Sequence, residues 1–267
     1  RQRQMCIRDR SMNRSGNSFF SIMPPVTKHL IIINVLIWLA MMFVGKIDNM
    51  MIKYGALHYV GATDFNVLQL FTYMFMHSTQ SIAHLFFNMF TLFMFGITLE
   101  RVLGGKRFLF YYISCGIGAA LIQEATWAFT INKFVSDNLE MTIAHWAYDN
   151  HLSMAQANDL VSSAQIASLR DQIENALITV GASGAIYGVL LAFGMLFPNR
   201  PLYLMFIPVP IKAKWMVIGY GVIEIALGLS SASDGIAHFA HLGGMIFGFL
   251  IILYWKRKGI IGGNGYY

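Results

Sequence analysis

The sequence is poor in charge and in cysteine. Asp, Glu, Lys and Arg make up only 12% of its 267 residues, too few for the surface of an ordinary soluble domain. The two cysteines, Cys6 and Cys115, build no disulfide framework, and Cys115 lies in an apolar segment. His145, Asp149 and His151 are metal-ligand types, but their spacing fits no metal-binding pattern, so neither a metal nor a cofactor is expected. A small-molecule transporter would show an inverted repeat, and no clear one is present.

In place of charge the chain has apolar length. It is 56% hydrophobic, with a mean hydropathy of +0.55, which points to an all-α protein that crosses a membrane several times. A span needs about 20 mostly apolar residues. Six stretches qualify, some at the short end: His29–Val44, Ile82–Leu99, Phe108–Ile131, Gly181–Phe197, Trp215–Leu229 and Ile236–Trp255. Pro198, Pro201, Pro208 and Pro210 break the connection between the fourth and fifth. The net charge of +6 is then not a nucleic-acid signal. With the N-terminus inside, the cytoplasmic segments hold Arg14, Lys28, Arg101, Lys106, Arg107, Arg200, Lys212, Lys214, Lys256, Arg257 and Lys258. The opposite segments hold only Lys46, Lys53, Lys133 and Arg170, so both termini are expected in the cytoplasm.

The expected organisation starts with Arg1 to Arg10, which resemble a translated sequencing-adapter artefact, with a natural start at Met12. Residues 1–11 are therefore set aside as an artefact or disordered leader, and 12–28 form a cytoplasmic segment. Residues 29–255 form the membrane domain, and 256–267 a cytoplasmic tail. Within the membrane domain, 132–179 form an outer insertion. Its acidic residues outnumber Lys133 and Arg170, and Leu160, Val161, Ile166, Leu169 and Ile173 stand at helical spacing. At least one amphipathic helix is expected there, capping the site without supplying chemistry.

The stretch that organises the chemistry is Gly181-Ala182-Ser183-Gly184-Ala185-Ile186-Tyr187-Gly188. A nucleophilic serine needs an open approach, which flanking glycines give, and it needs a base. The best base lies in Ala240-His241-Leu242-Gly243-Gly244. The fourth and sixth spans run in the same direction, and His241 lies about 7.5 Å along a helix from Ile236, so Ser183 and His241 reach similar depth. His84 and Asn88 stand one helical turn apart in the second span, in the same layer. Ionisable groups inside spans are costly and usually face a cavity. Gly184 and Gly188, like Gly244 and Gly248, are four apart and let two helix backbones approach closely. Alone, each motif has a plainer reading, since serines and glycines also pack membrane helices. Glu124 and Glu224 are read as packing or edge residues, and His238 as a supporting one.

These motifs resemble those of the rhomboid family of intramembrane serine proteases: His84-x-x-x-Asn88, Gly181-x-Ser183-Gly184 and Ala240-His241-x-Gly243-Gly244, with Leu99-Glu100-Arg101-Val102-Leu103-Gly104 also similar. The resemblance spans Lys28 to Trp255 and implies a six-transmembrane-helix rhomboid bundle with an extended outer loop between helices 3 and 4. It implies a serine endopeptidase that cuts transmembrane-segment substrates near the outer membrane face. Ser183 would be the nucleophile and His241 its base, as a dyad. No carboxylate is expected to orient His241, because Asp234 lies near the outer end. Tyr187 would pack on the histidine, and Asn88, His84 and the Ser183 N–H would form the oxyanion hole beside Gly181. The implied partners are transmembrane proteins and the lipid bilayer, not nucleic acid, and the expected location is the bacterial cytoplasmic membrane. The alternative is an inactive rhomboid-like protein that binds membrane segments. One departure stands out: Leu68-Gln69 occupy the place of the family's Trp-Arg pair in the first outer loop, Gly45 to Met76.

Overall fold

A computed structural model describes residues 23–160, 162–203, 209–230 and 236–261. Cys6, Arg14, Val161, Pro208, Asp234 and the expectations for residues 1–11 lie outside them. The chain is mostly helical. In order it forms α1 (Pro25–Phe43), α2 (Gly45–Gly55), β1 (Leu57–His58), α3 (Gln69–Thr72), α4 (Ile82–Leu103), α5 (Gly105–Asp149), α6 (Met154–Leu160), α7 (Ser163–Ala176) and β2 (Ile178–Thr179). Then come α8 (Ser183–Leu196), β3 (Pro201–Tyr203), β4 (Pro210–Lys212), α9 (Ala213–Leu229) and α10 (His238–Arg257). Four of these helices, α1, α4, α5 and α10, are long and apolar enough to cross a membrane. The other two expected spans correspond to α8, with 14 residues, and α9, with 17. Between α8 and α9, β3 and β4 pair antiparallel, Pro201 opposite Lys212 and Tyr203 opposite Pro210.

The centre of the molecule is the contact of α8 with α5 and α10. α8 is apolar on nearly every face, as a helix enclosed by others must be. Its glycines set the spacing. A Cβ on Gly244 of α10 would collide with the Gly184 carbonyl of α8, so the two backbones touch with no side chain between them. Gly188 rests on Cys115 of α5, and Tyr111 donates to the Gly188 carbonyl at 2.7 Å.

Glu100 shows what the Leu99–Gly104 stretch does. Its buried carboxylate accepts from Val26 N at 2.9 Å, Thr27 N at 2.7 Å and Thr27 Oγ1 at 2.8 Å. The first turn of a helix has N–H groups with no internal partner, and an anion there also meets the positive end of the helix dipole. Glu100 thus fastens the start of α1 to the end of α4. Glu100→Ala is expected to lower stability by about 2–3 kcal/mol, since hydrogen bonds to a charged group carry more than neutral ones. Thermal unfolding in detergent measures this, and an unchanged midpoint would deny Glu100 that role.

The helix that carries the third expected span does not end at Ile131. No Gly or Pro stands between Gly118 and Gly181, and α5 runs on without a break to Asp149, so the first third of the insertion is a continuation of that helix. The rest folds back: Ile143 and Ala147 of α5 bury against Ala157 of α6. α7 opens on a capping box between Ser162 and Gln165. Of its expected apolar face, Leu169 and Ile173 are half-buried while Ile166 is exposed. The insertion ends against the first loop. Asn175 accepts from Asp64 N at 3.2 Å and donates to Thr63 Oγ1 at 2.9 Å, and Leu57 pairs with Thr179 in a two-residue ladder.

Gln69 explains how the first loop holds together without the Trp-Arg pair. It is fully buried, donates to the Lys53 and Asp64 carbonyls at 3.2 and 2.8 Å, and accepts from His58 N and Asn66 N at 3.3 and 3.2 Å. One amide side chain spends its full capacity closing the loop on itself. Its neighbours Val67 and Leu68 point outward, as an apolar surface.

Candidate active site

Ser183 is the first residue of α8, and its approach is held by the loop before it. Gly181 N donates to the Tyr73 carbonyl at 3.0 Å, and the Tyr73 hydroxyl donates to the Gly116 carbonyl at 2.7 Å, so the entry into α8 is pinned to the first loop and to α5. Gly181 has φ +130°, which residues with a Cβ rarely adopt. A Cβ there would also press on His84 Nε2, at 2.9 Å. The chain at Gly181 thus leaves room for the His84 ring beside Ser183.

His241 comes from the first turn of α10. Its Nε2 lies 2.8 Å from Ser183 Oγ. The ring of Tyr187, one turn along α8 from Ser183, stacks on the imidazole with centroids 4.3 Å apart and planes within 5°. Stacking fixes the ring plane, and the Gly184–Gly244 contact fixes how close the two helices come. Among the expected residues, Ser183, His241, Tyr187, Gly181 and His84 therefore share one site. Asn88 is buried on α4, one turn beyond His84.

Two residues were missed or misread at the level of sequence. Glu224 was read as packing or edge, with no carboxylate near His241. It is instead buried beside the site, at 5% exposure. Its Oε1 is 3.1 Å from His241 Nδ1, an ion-pair distance that lies off the in-line direction of a hydrogen bond. The same oxygen accepts from the Tyr187 hydroxyl, and Oε2 is 2.6 Å from His238 Nδ1. The physical reason is rotation: α9 turns its lipid-type residues Ile218, Val222 and Ile225 outward and Glu224 inward. The signal was available, since an ionisable group in an apolar segment is costly unless partnered. His77 is the second. It is fully buried and packs edge-on to His84 at 5.1 Å, and neither of its ring nitrogens has a hydrogen-bond partner among the described residues.

Glu224, His238 and His241 also hold ligand atoms within 4.8 Å of one another, so this is where a metal ion would fit by geometry. His145 and Asp149 sit 4.0 Å apart on the exposed face of α5.

A hydroxyl, an imidazole and a carboxylate in contact define a helical protein that encloses a polar site, with four helices long and apolar enough to cross a membrane. A family model described as the Rhomboid domain matches residues 64–132 and 137–258. The chain belongs to the rhomboid family and is an integral membrane protein. It is 27% identical over 173 residues to Rhomboid protein 1, mitochondrial, of Saccharomyces cerevisiae. That match takes in 65% of this chain and 38% of the yeast protein, so the chain spans well under half the length of that relative.

Proposed function

We propose that this rhomboid protein is an intramembrane serine endopeptidase in which Ser183 and His241 carry the chemistry. The observation that supports this most is the 2.8 Å contact of Ser183 Oγ with His241 Nε2. An inactive member would have no need to keep a hydroxyl and an imidazole at this distance, with the ring plane fixed by Tyr187. In the proposed reaction Ser183 Oγ attacks the scissile carbonyl and its proton passes to His241 Nε2. His241 then gives that proton to the leaving amine, and water hydrolyses the acyl-enzyme by the reverse relay. The substrates are transmembrane segments, cut near the outer face. In this reading α8 and α9 complete six spans, both termini lie in the cytoplasm and residues 132–179 lie outside. The insertion governs access without supplying chemistry, and the cell membrane is bacterial.

Labelling of Ser183 by a small fluorophosphonate probe tests the proposal directly. A folded, detergent-purified protein that resists the probe and leaves a panel of membrane-segment substrates uncut would favour a binder without catalysis.

The oxyanion hole is assigned to Asn88, His84 and the Ser183 N–H. Asn88 is the side-chain amide closest in register to His84, one turn along the same helix and buried. Asn88→Ala is expected to lower kcat roughly 10²–10³-fold with little change in KM, because such a donor acts chiefly on the transition state. A loss carried entirely by KM would place the donors elsewhere.

A further inference from the structure

We propose that Glu224 is a positioning residue that makes the Ser183–His241 pair a carboxylate-oriented triad, with its charge set against His241 Nδ1. This rests on the protease reading above and adds a third group to it. The geometry supplies the argument. With Nε2 accepting the Ser183 hydroxyl proton, the ring's own hydrogen belongs on Nδ1, the side that faces Glu224 Oε1 at 3.1 Å. A carboxylate there favours that tautomer and holds the ring so that Nε2 points at Ser183. When His241 takes the serine proton it becomes an imidazolium, and Glu224 is the nearest negative charge to it among the described residues.

A buried carboxylate left to pack a helix would be a large cost with no return. Glu224 is instead fully engaged. His238 meets Oε2 at 2.6 Å, and the Tyr187 hydroxyl donates to Oε1 while its ring stacks on His241. Tyr187 thus has two tasks, to set the ring plane and to hold the acid in place. His238, three residues before His241 on α10, fixes the other oxygen and stops the carboxylate from rotating away. The pair that sequence alone describes as a dyad is one edge of a five-residue network drawn from three helices.

The groups that face His241 come from four helices. His84 comes from α4, Ser183 and Tyr187 from α8, Glu224 from α9, and His238 from α10 itself, while Tyr220 of α9 lies against Tyr187. Cys115 of α5 lies against Gly188, the Glu124 carboxylate of α5 is held by Val60 N at 2.8 Å, and the Tyr73 hydroxyl is committed to Gly116. Glu224 is the one carboxylate in contact with the imidazole among the described residues. Removing its charge therefore withdraws stabilisation from the imidazolium.

The test compares the parent protein with Glu224→Gln and Glu224→Asp, by cleavage of a membrane-segment substrate and by the rate of fluorophosphonate labelling. Glu224→Gln keeps the shape and a polar contact to His238 but loses the charge. It is expected to lower kcat/KM roughly 10²-fold, less than loss of the acid in an aligned triad because Tyr187 still holds the ring plane. The loss falls on kcat and leaves KM nearly unchanged, since Glu224 acts through His241 and the charge matters when the imidazolium forms. Glu224→Asp keeps the charge, so it recovers much of kcat. A merely structural Glu224 would lower the amount of folded protein and leave the kcat of the folded fraction where it was. An unchanged kcat in folded Glu224→Gln, or a Glu224→Gln protein labelled at the parental rate, would overturn the proposal and leave the protease reading intact. An inert parent would overturn both. Metal analysis is the remaining arm: one tightly held divalent ion per chain would overturn the triad, because it would occupy the Nδ1 that the carboxylate needs.

Discussion

Ser183→Ala and His241→Ala are each expected to abolish cleavage of a transmembrane substrate while leaving a folded, membrane-inserted protein. The expected size is the largest in the molecule. In serine hydrolysis, loss of the nucleophile or of the base alone removes nearly everything the catalytic group supplies, about 10⁶-fold in kcat. Neither change should unfold the chain. Ser183 stands at the first position of α8, where its side chain caps nothing, and the Gly181 and Tyr73 contacts that hold the loop use backbone or other side chains. Removing the His241 ring leaves the Tyr187 ring without its stacking partner and Glu224 without one neighbour, but His238 and the Tyr187 hydroxyl still satisfy the carboxylate. The measurement is turnover in detergent and in liposomes, beside near-ultraviolet circular dichroism. Substantial activity in purified Ser183→Ala would sink the assignment of the nucleophile.

Gly244→Ala is expected to lower activity at least 10²-fold, although Gly244 never meets substrate. The added Cβ would fall on the Gly184 carbonyl of α8, a backbone atom that no rotamer change can move. The helices must separate, and separation lengthens the 2.8 Å contact between Ser183 and His241, which sit on those two helices. A misplacement of about 1 Å costs on this scale. Forced overpacking also removes about 1–3 kcal/mol of stability. Gly219 is the matched control. A Cβ there meets nothing within 4 Å, so Gly219→Ala in α9 should be nearly silent in both assays. Equal effects of the two substitutions would mean that helix propensity, rather than the α8–α10 approach, governs the outcome.

The motifs were easier to read in the sequence than their surroundings, and the reason is physical. Within each motif the spacing is local: His84 and Asn88, Ser183 and Tyr187, and the glycine pairs stand one helical turn apart, which fixes a shared face. What joined one motif to another was the expected depth in the spans and the resemblance, since Ser183 and His241 are 58 positions apart. Glu224 has no such local partner: it meets Tyr187 37 positions away and His238 14 positions away, across three helices. Whether it looks at lipid or at His241 depends on the rotation of α9 about its own axis. That rotation is set by packing, and hydropathy alone does not encode it. Gln69 is a similar case, since its four hydrogen bonds run to backbone groups of an irregular loop. The continuation of α5 to Asp149 is different. The absence of Gly and Pro beyond Gly118 was visible, but the expectation of a membrane boundary at Ile131 took precedence over it.

α9 has one further property. At 1.5 Å per residue its 17 residues rise about 26 Å, against a hydrocarbon layer of about 30 Å. Trp215, Ile218, Val222 and Leu229 show that this short helix is also strongly exposed on its outer face. In the six-span arrangement proposed here, the bilayer beside α9 must thin by a few ångströms or leave polar backbone ends in hydrocarbon, a mismatch that costs fractions of a kcal/mol per ångström. In that arrangement lipid on this flank would be under elastic strain. A foreign transmembrane helix that displaced it would relieve some of that strain and enter a layer too thin for its own full length. The same helix that turns Glu224 inward would then give the protein a side on which the membrane itself favours exchange of lipid for protein.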